Sequence, residues 1–323
     1  MPPAADPEPT QAMKRKLFRV LGTLFGLLLF GVALWILRQQ LRAHSIDDIL
    51  RTLRELPSQR VLLCLALTCL NYFMMTGYDF LALRYVRQGL PYRKIATASF
   101  ISFAFSVNMG LGTVAGGSVR YRLYSAWGLS ALDITKLVAF CSATLVLGFL
   151  ALAGLVFLLE PMAVPRALHL PFSSVRPIGV IFLLFVSVYL IWSLRRKGPL
   201  RILSWEFALP SPGLLVAQVT LASLEWAIGG SALYALLPAD PDLSFAGFLG
   251  IYLLALWVGM ASQVPGGLGV FETLIVLLLA PILPATESLG PLLVYRAVYY
   301  ILPLCLAAAL LGLQEILRTR RRA

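Results

Sequence analysis

Charge is what this chain has least of. Asp, Glu, Lys and Arg make up 13% of its 323 residues, about half the share found in water-soluble domains. A water-soluble core holding 59% hydrophobic residues would need helices buried nearly all round, with almost no polar faces. Histidine is scarcer still. His44 and His169 are the only two, and neither lies beside a carboxylate or cysteine cluster at ligand spacing, so zinc and acid–base constellations have no material. Cys64, Cys69, Cys141 and Cys305 all sit inside apolar runs with no CxxC pattern, which points to packing rather than to metal. No nucleotide motif is present either: Gly112–Gly117 lacks the following Lys-Ser/Thr of a phosphate loop and follows no strand. No cofactor, metal or catalytic residue is expected, and the chain reads as a non-enzyme.

What it has instead is long apolar runs and a mean hydropathy of +0.83. Runs of about 20 apolar residues suffice to cross a bilayer. Candidates lie near 17–37, 60–83, 133–159, 177–194, 214–237, 244–263, 268–283 and 290–313, which predicts an all-α polytopic membrane protein with about eight spans. Residues 1–13, rich in Pro, Ala and acids, are expected to be a disordered tail. Residues 14–317 form the transmembrane domain, and 318–323 a basic tail.

The formal net charge of +12 is scattered through short loops rather than gathered on one face, so it marks topology and lipid contact, not nucleic acid. Arg84, Arg87, Arg93 and Lys94 in one loop, Arg195, Arg196, Lys197 and Arg201 in another, and the basic ends place both termini in the cytoplasm. Residues 38–60 then fall outside. The Ser45–Asp48 capping pattern with Ile46, Ile49, Leu50, Leu53 and Leu56 predicts an amphipathic interfacial helix there.

Two interruptions stand out. Asn108 to Ser118 holds Gly110, Gly112, Gly116 and Gly117, and counting residues 95–119 as a full span would invert every later loop. The segment is therefore expected to dip in and return as a hairpin broken within this glycine run. Gln263 to Glu272, with Pro265, Gly266, Gly267 and Gly269, is the second break. Paired broken helices are the usual sequence pointer to a transporter site, because half-helix ends present unpaired dipoles to a ligand.

Ionisable residues at bilayer depth cost about 2.5 to 3.5 kcal/mol each on insertion scales, so they must be paired or hydrated. Asp79, Glu225, Glu272 and Arg296 fall in this class, and Arg120 and Arg122 leave the glycine-rich hairpin. Arg120 or Arg296 is expected to face Glu225 or Glu272, with Asp79 and Asn108 in the same polar network. Such pairs can merely lock helix packing, or they can line a path for cargo. Guanidinium forks match phosphate geometry, so Arg120 and Arg122, with Gly112, Gly116, Gly117 and Ser118 beside them, form the candidate headgroup site. Tyr121, Tyr124, Trp127, Tyr295, Tyr299 and Tyr300 are read as interfacial aromatics.

Gly112–Tyr124 followed by Trp127-Gly128-Leu129-Ser130, Val264–Glu272, Glu225-Trp226 and Tyr295-Arg296 together resemble the transmembrane region of lysylphosphatidylglycerol synthases, over nearly all of residues 15–315. The resemblance implies a bacterial inner-membrane flippase-like domain that moves an aminoacylated or otherwise modified phospholipid between leaflets, with re-entrant helices lining its cavity. The synthases continue into a soluble aminoacyl transferase domain. This sequence stops at Ala323, so lysyl transfer is not expected and a polyprenyl-linked glycolipid stays open as cargo. The partners expected are membrane lipids, with no nucleic acid and with self-association left open. A membrane-embedded transferase and an accessory subunit with purely structural charges are the alternatives.

Overall fold

The computed structural model describes residues 54–109, 112–160, 174–195, 198, 200–202, 205–207 and 209–320. The expected first span, the amphipathic 38–60 segment up to residue 53, the N-terminal tail and both histidines lie outside the described residues. Within them the protein is an all-α polytopic membrane protein. The helices are α1 (Ser58–Tyr85), α2 (Tyr92–Asn108), α3 (Gly112–Ala126), α4 (Ala131–Leu159), α5 (Arg176–Arg195), α6 (Pro212–Tyr234), α7 (Phe245–Ala261), α8 (Val270–Leu279), α9 (Ala285–Tyr295) and α10 (Leu302–Arg320). A 3₁₀ turn (Pro265–Gly267) joins α7 to α8, and a π turn (Arg296–Ile301) joins α9 to α10. The only strands among the described residues, Leu200–Ile202 and Trp205–Phe207, form a small antiparallel hairpin before α6.

Local chemistry sets the boundaries. Ser130, Ser211 and Ser244 cap α4, α6 and α7 by accepting from the backbone N–H three residues on. Arg87 (φ 58°) and Gly128 (φ 97°) end α1 and α3 in left-handed caps, where Gln88 N donates to Leu83 O and Leu129 N to Tyr124 O.

Among the described residues five apolar helices are long enough to cross a bilayer: α1, α4, α5, α6 and the joined α9–α10. Ile181, Leu184, Phe185, Val188 and Ile191 of α5 face outward, as a lipid-facing surface requires. Gly148 of α4 lies against Ala222 of α6, so close that an added Cβ would overlap the Ala222 backbone. Small residues let membrane helices approach in this way.

The remaining helices form two hairpins. α2 and α3 pack against each other, and Gln88 before α2 donates to Asp133 at the start of α4 (3.2 Å). Both ends of this hairpin therefore lie at one end of the bundle, as the charge pattern predicted. The break begins at Met109, whose backbone is extended, inside the Asn108–Ser118 stretch where it was expected, while Gly112, Gly116 and Gly117 are helical. Gly116 is needed for contact rather than for a bend: a Cβ there would run into Ser106 of α2 and come within 3.1 Å of Ser102 O.

The expected spans at 244–263 and 268–283 are corrected, since neither segment forms a helix of membrane-crossing length. α8 has ten residues, about 15 Å of helix, half the hydrocarbon thickness. Paired with α7, it forms a second hairpin whose Pro-Gly-Gly turn lies part-way through the membrane. Three spans, α4, α5 and α6, separate the two hairpins in sequence, so they enter from opposite faces. The basic tail expected at 318–323 starts as a continuation of α10, which runs to Arg320.

Candidate functional site

The two breaks converge. Between them lies a cavity of about 370 Å³, walled by Ser106, Val107, Met109 and Val114 of the first hairpin and by Gly259, Gln263, Val264, Gly266, Gly267 and Phe271 of the second. α4 contributes Cys141, Ser142, Leu145 and Val146, α6 Glu225 and Trp226, and the π turn Tyr299 and Tyr300. Arg120 reaches the cavity from α3. The result is an apolar chamber with a few convergent polar groups, the usual form of a small-molecule or lipid site.

Each buried charge has a distinct setting. Asp79, on α1, takes two parallel bonds from Arg120, from Nε (2.9 Å) and Nη2 (2.8 Å), and a third from Tyr124 OH (2.9 Å). The guanidinium lies 4.7 Å from the Phe103 ring centroid, and its third nitrogen, Nη1, is not engaged by Asp79. Arg296 donates from Nε to Glu272 and from Nη1 to the Gly266 carbonyl (2.6 Å), while Glu272 also accepts from Gly269 N (2.8 Å). Glu225 is different. Its Oε1 accepts from Asn71 Nδ2 (3.1 Å) and its Oε2 from Tyr78 OH (2.9 Å), both neutral donors. Among the described residues no cation lies within ion-pair distance of it.

The pairing therefore departs in part from the sequence expectation. Arg296–Glu272 is one of the anticipated partnerships, but Arg120 goes to Asp79 and Glu225 to neither arginine. Asp79, Asn108, Glu272 and Arg296 stand behind the cavity wall rather than in it, while Arg120 and Glu225 reach it. Arg122 is buried but does not share the cavity with Arg120. Two residues on a helix are about 200° apart, so the two guanidinium groups leave α3 on different faces.

Tyr124, Tyr295, Tyr299 and Tyr300 are buried in the core rather than interfacial, a second correction. Their hydroxyls and carbonyls serve the network: Tyr252 and Tyr295 hydroxyls are 2.9 Å apart, and Tyr299 exchanges bonds with Asn71. The π turn has a covalent cause. Pro303 has no N–H, so the carbonyl of Tyr299 four residues earlier loses its helical donor. Tyr72 OH donates to it instead (3.3 Å), and Asn108 Nδ2, at the tip of the first hairpin, donates to Tyr300 O (3.3 Å).

Asn71, Tyr78 and Cys141 were not anticipated as site residues. Asn71 and Tyr78 are seven apart on one face of α1, with Asp79 adjoining. Polar side chains recurring at helical spacing inside an apolar run are the signal that could have found them. Among the described residues no group of three or more His, Cys, Asp or Glu could hold a metal.

A family model described as the lysylphosphatidylglycerol synthase TM region matches residues 23–307. The protein slr0712 of Synechocystis is 38% identical over 307 residues, covering 95% of each chain. The inner membrane protein YbhN of Escherichia coli is 30% identical over 265 residues, covering 81% of this chain and 82% of its own. A phosphatidylglycerol lysyltransferase of Staphylococcus aureus is 25% identical over 304 residues, 93% of this chain but 35% of that protein, so the likeness covers about a third of the enzyme.

Proposed function

Because the chain belongs to the lysylphosphatidylglycerol synthase TM-region family, we propose that it is a lipid translocator of the bacterial inner membrane, moving a phospholipid or lipid-linked headgroup between leaflets without modifying it. One observation carries this reading: two broken-helix hairpins entering from opposite faces meet at a cavity that holds an arginine and a carboxylate. Broken helices meeting near mid-membrane suit alternating access, because a headgroup can be received from one side and released to the other about a fixed site.

Charge balance supplies the chemistry. Asp79 neutralises Arg120, which leaves Glu225 as the uncompensated acid of the chamber. A carboxylate at this depth is costly unless a positive charge meets it. The cargo supplies that charge, from a headgroup amine or an accompanying cation, while Arg120 Nη1 is offered to its phosphate. The Trp226 ring in the cavity wall suits a cationic group as well, since ring faces attract it.

The test is transbilayer movement in vesicles. Protein reconstituted at known density should speed the flip of a fluorescent phospholipid or prenyl-phosphate over empty vesicles, and Glu225→Gln should abolish the gain. Movement no faster than in empty vesicles for every lipid class tried would remove the reading. A deletion strain that lacks one modified lipid altogether, rather than keeping it in the wrong leaflet, would indicate the transferase instead.

A further inference from the structure

Arg296 and Glu272 do not line the cavity, yet Arg296 is 1% exposed and Glu272 9%. What they touch is the Pro265–Gly269 turn. That turn sits at the mouth of the chamber: Val264, Gly266 and Gly267 line the cavity, and Gln263, which lines it as well, is exposed together with Ser262. Its own cohesion is slight. Four residues in seven, Gln263, Gly266, Gly267 and Gly269, have positive φ, none of Pro265–Gly267 is buried, and its internal backbone bonds number two, Gly267 N to Val264 O and Leu268 N to Pro265 O.

The rest is held from outside. Arg296 grips the Gly266 carbonyl with Nη1 while Nε holds Glu272, and the other oxygen of Glu272 holds Gly269 N. One buried ion pair thus clasps both ends of the turn. Its platform is the π turn, whose register is set by Pro303 and whose next residues, Tyr299 and Tyr300, line the same cavity. Tyr299 also contacts Asn71, which holds Glu225. The clasp itself is incompletely satisfied, because Arg296 Nη2 is buried without a hydrogen-bond partner.

We propose that the Pro265–Gly269 turn is a gate over the cavity and that Arg296 is its latch. The ion pair with Glu272 anchors the latch, and the bond to Gly266 O keeps the gate shut. The π turn links it, through Tyr299 and Asn71, to the carboxylate facing the cargo. Arginine is required by geometry: its fork reaches a carboxylate and a carbonyl at once, whereas a lysine ammonium on this stem keeps the charge and gives up one of the two. The gate rests on the cavity reading but not on any lipid being moved, so it is tested separately.

Cys141 lines the cavity and is buried, which makes it a native reporter. In full-length protein with Cys64, Cys69 and Cys305 changed to Ala, a small soluble maleimide should label Cys141 slowly. Arg296→Lys, which keeps the ion pair, should raise that rate about tenfold or more with the melting temperature nearly unchanged, whereas Glu272→Gln strands Arg296 and should raise the rate while lowering the melting temperature. If Arg296→Lys labels at the wild-type rate, or Glu272→Gln unlatches no faster than wild type below its own melting transition, the latch is wrong. If labelling rises as stated while no variant, nor the wild type, moves lipid, the gate stands and the transport reading falls.

Discussion

Replacing Asp79 by Leu separates the scaffolding role of a buried charge from its use by cargo. The substitution strips Arg120 of two bonds of 2.9 and 2.8 Å and Tyr124 of its acceptor at 2.9 Å, with the surrounding groups buried. Removing one partner of a buried pair costs about 3 to 5 kcal/mol, because the other charge is stranded. On that scale the melting temperature falls by on the order of 10 °C. Replacing all three polar groups together, as Asp79→Leu, Arg120→Met and Tyr124→Phe, strands nothing and should recover most of the loss. The assay is thermal denaturation in detergent, followed by a thiol-reactive fluorophore that reports exposure of Cys64 and Cys141. Transport in vesicles is measured on the same preparations. The triple variant should be stable and inactive. A single variant that melts with the wild type refutes the energetic argument, and a stable triple variant with full transport refutes any contact between Arg120 and cargo.

Three further substitutions follow from the same geometry. Glu225→Gln can accept from Asn71 through its carbonyl and donate to the Tyr78 hydroxyl, so stability should stay within about 1 kcal/mol while transport is lost; Glu225→Leu leaves both donors bare and should melt well below Gln by the same fluorescence assay. Gly148→Ala drives a methyl into Ala222 and should cost about 1 to 3 kcal/mol, read by melting, with lower transport because Glu225 sits one turn further along α6. Tyr72→Phe removes the donor that replaces the missing Pro303 N–H and should cost about 1 to 3 kcal/mol, measured the same way, whereas combining it with Pro303→Ala should return part of the loss.

Much of the fold was legible because lipid imposes length. The spans expected at 60–83, 133–159, 177–194 and 214–237 match α1, α4, α5 and α6 to within a few residues. The hairpin at residues 95–119 could be read because each alternative inverted the loop charges. Hydropathy failed at 268–283, where a ten-residue helix and the apolar turn after Leu279 read together as one run long enough to cross. Composition reports that a segment is dry, not that it is straight. The interfacial reading of Tyr295, Tyr299 and Tyr300 failed for a related reason: a tyrosine in an apolar run looks alike at a headgroup boundary and beside a buried asparagine. The pairing of acids with arginines depends on helix rotation and depth, which no local pattern encodes.

The placement of the three acid sites carries a consequence for how the cavity works. Asp79 with Arg120 sits behind the first hairpin, where Arg120 also packs on Phe103 of α2. Glu272 with Arg296 sits behind the second, where Arg296 holds the Gly266 carbonyl. Each hairpin thus has its own buried ion pair, and Arg296 also satisfies a backbone carbonyl at the second break, where water cannot. Glu225 has no such partner among the described residues: it is held by two neutral donors and turned toward the chamber where both hairpins end. Two of the acids tie the hairpins to their neighbours, and the third faces the space between them.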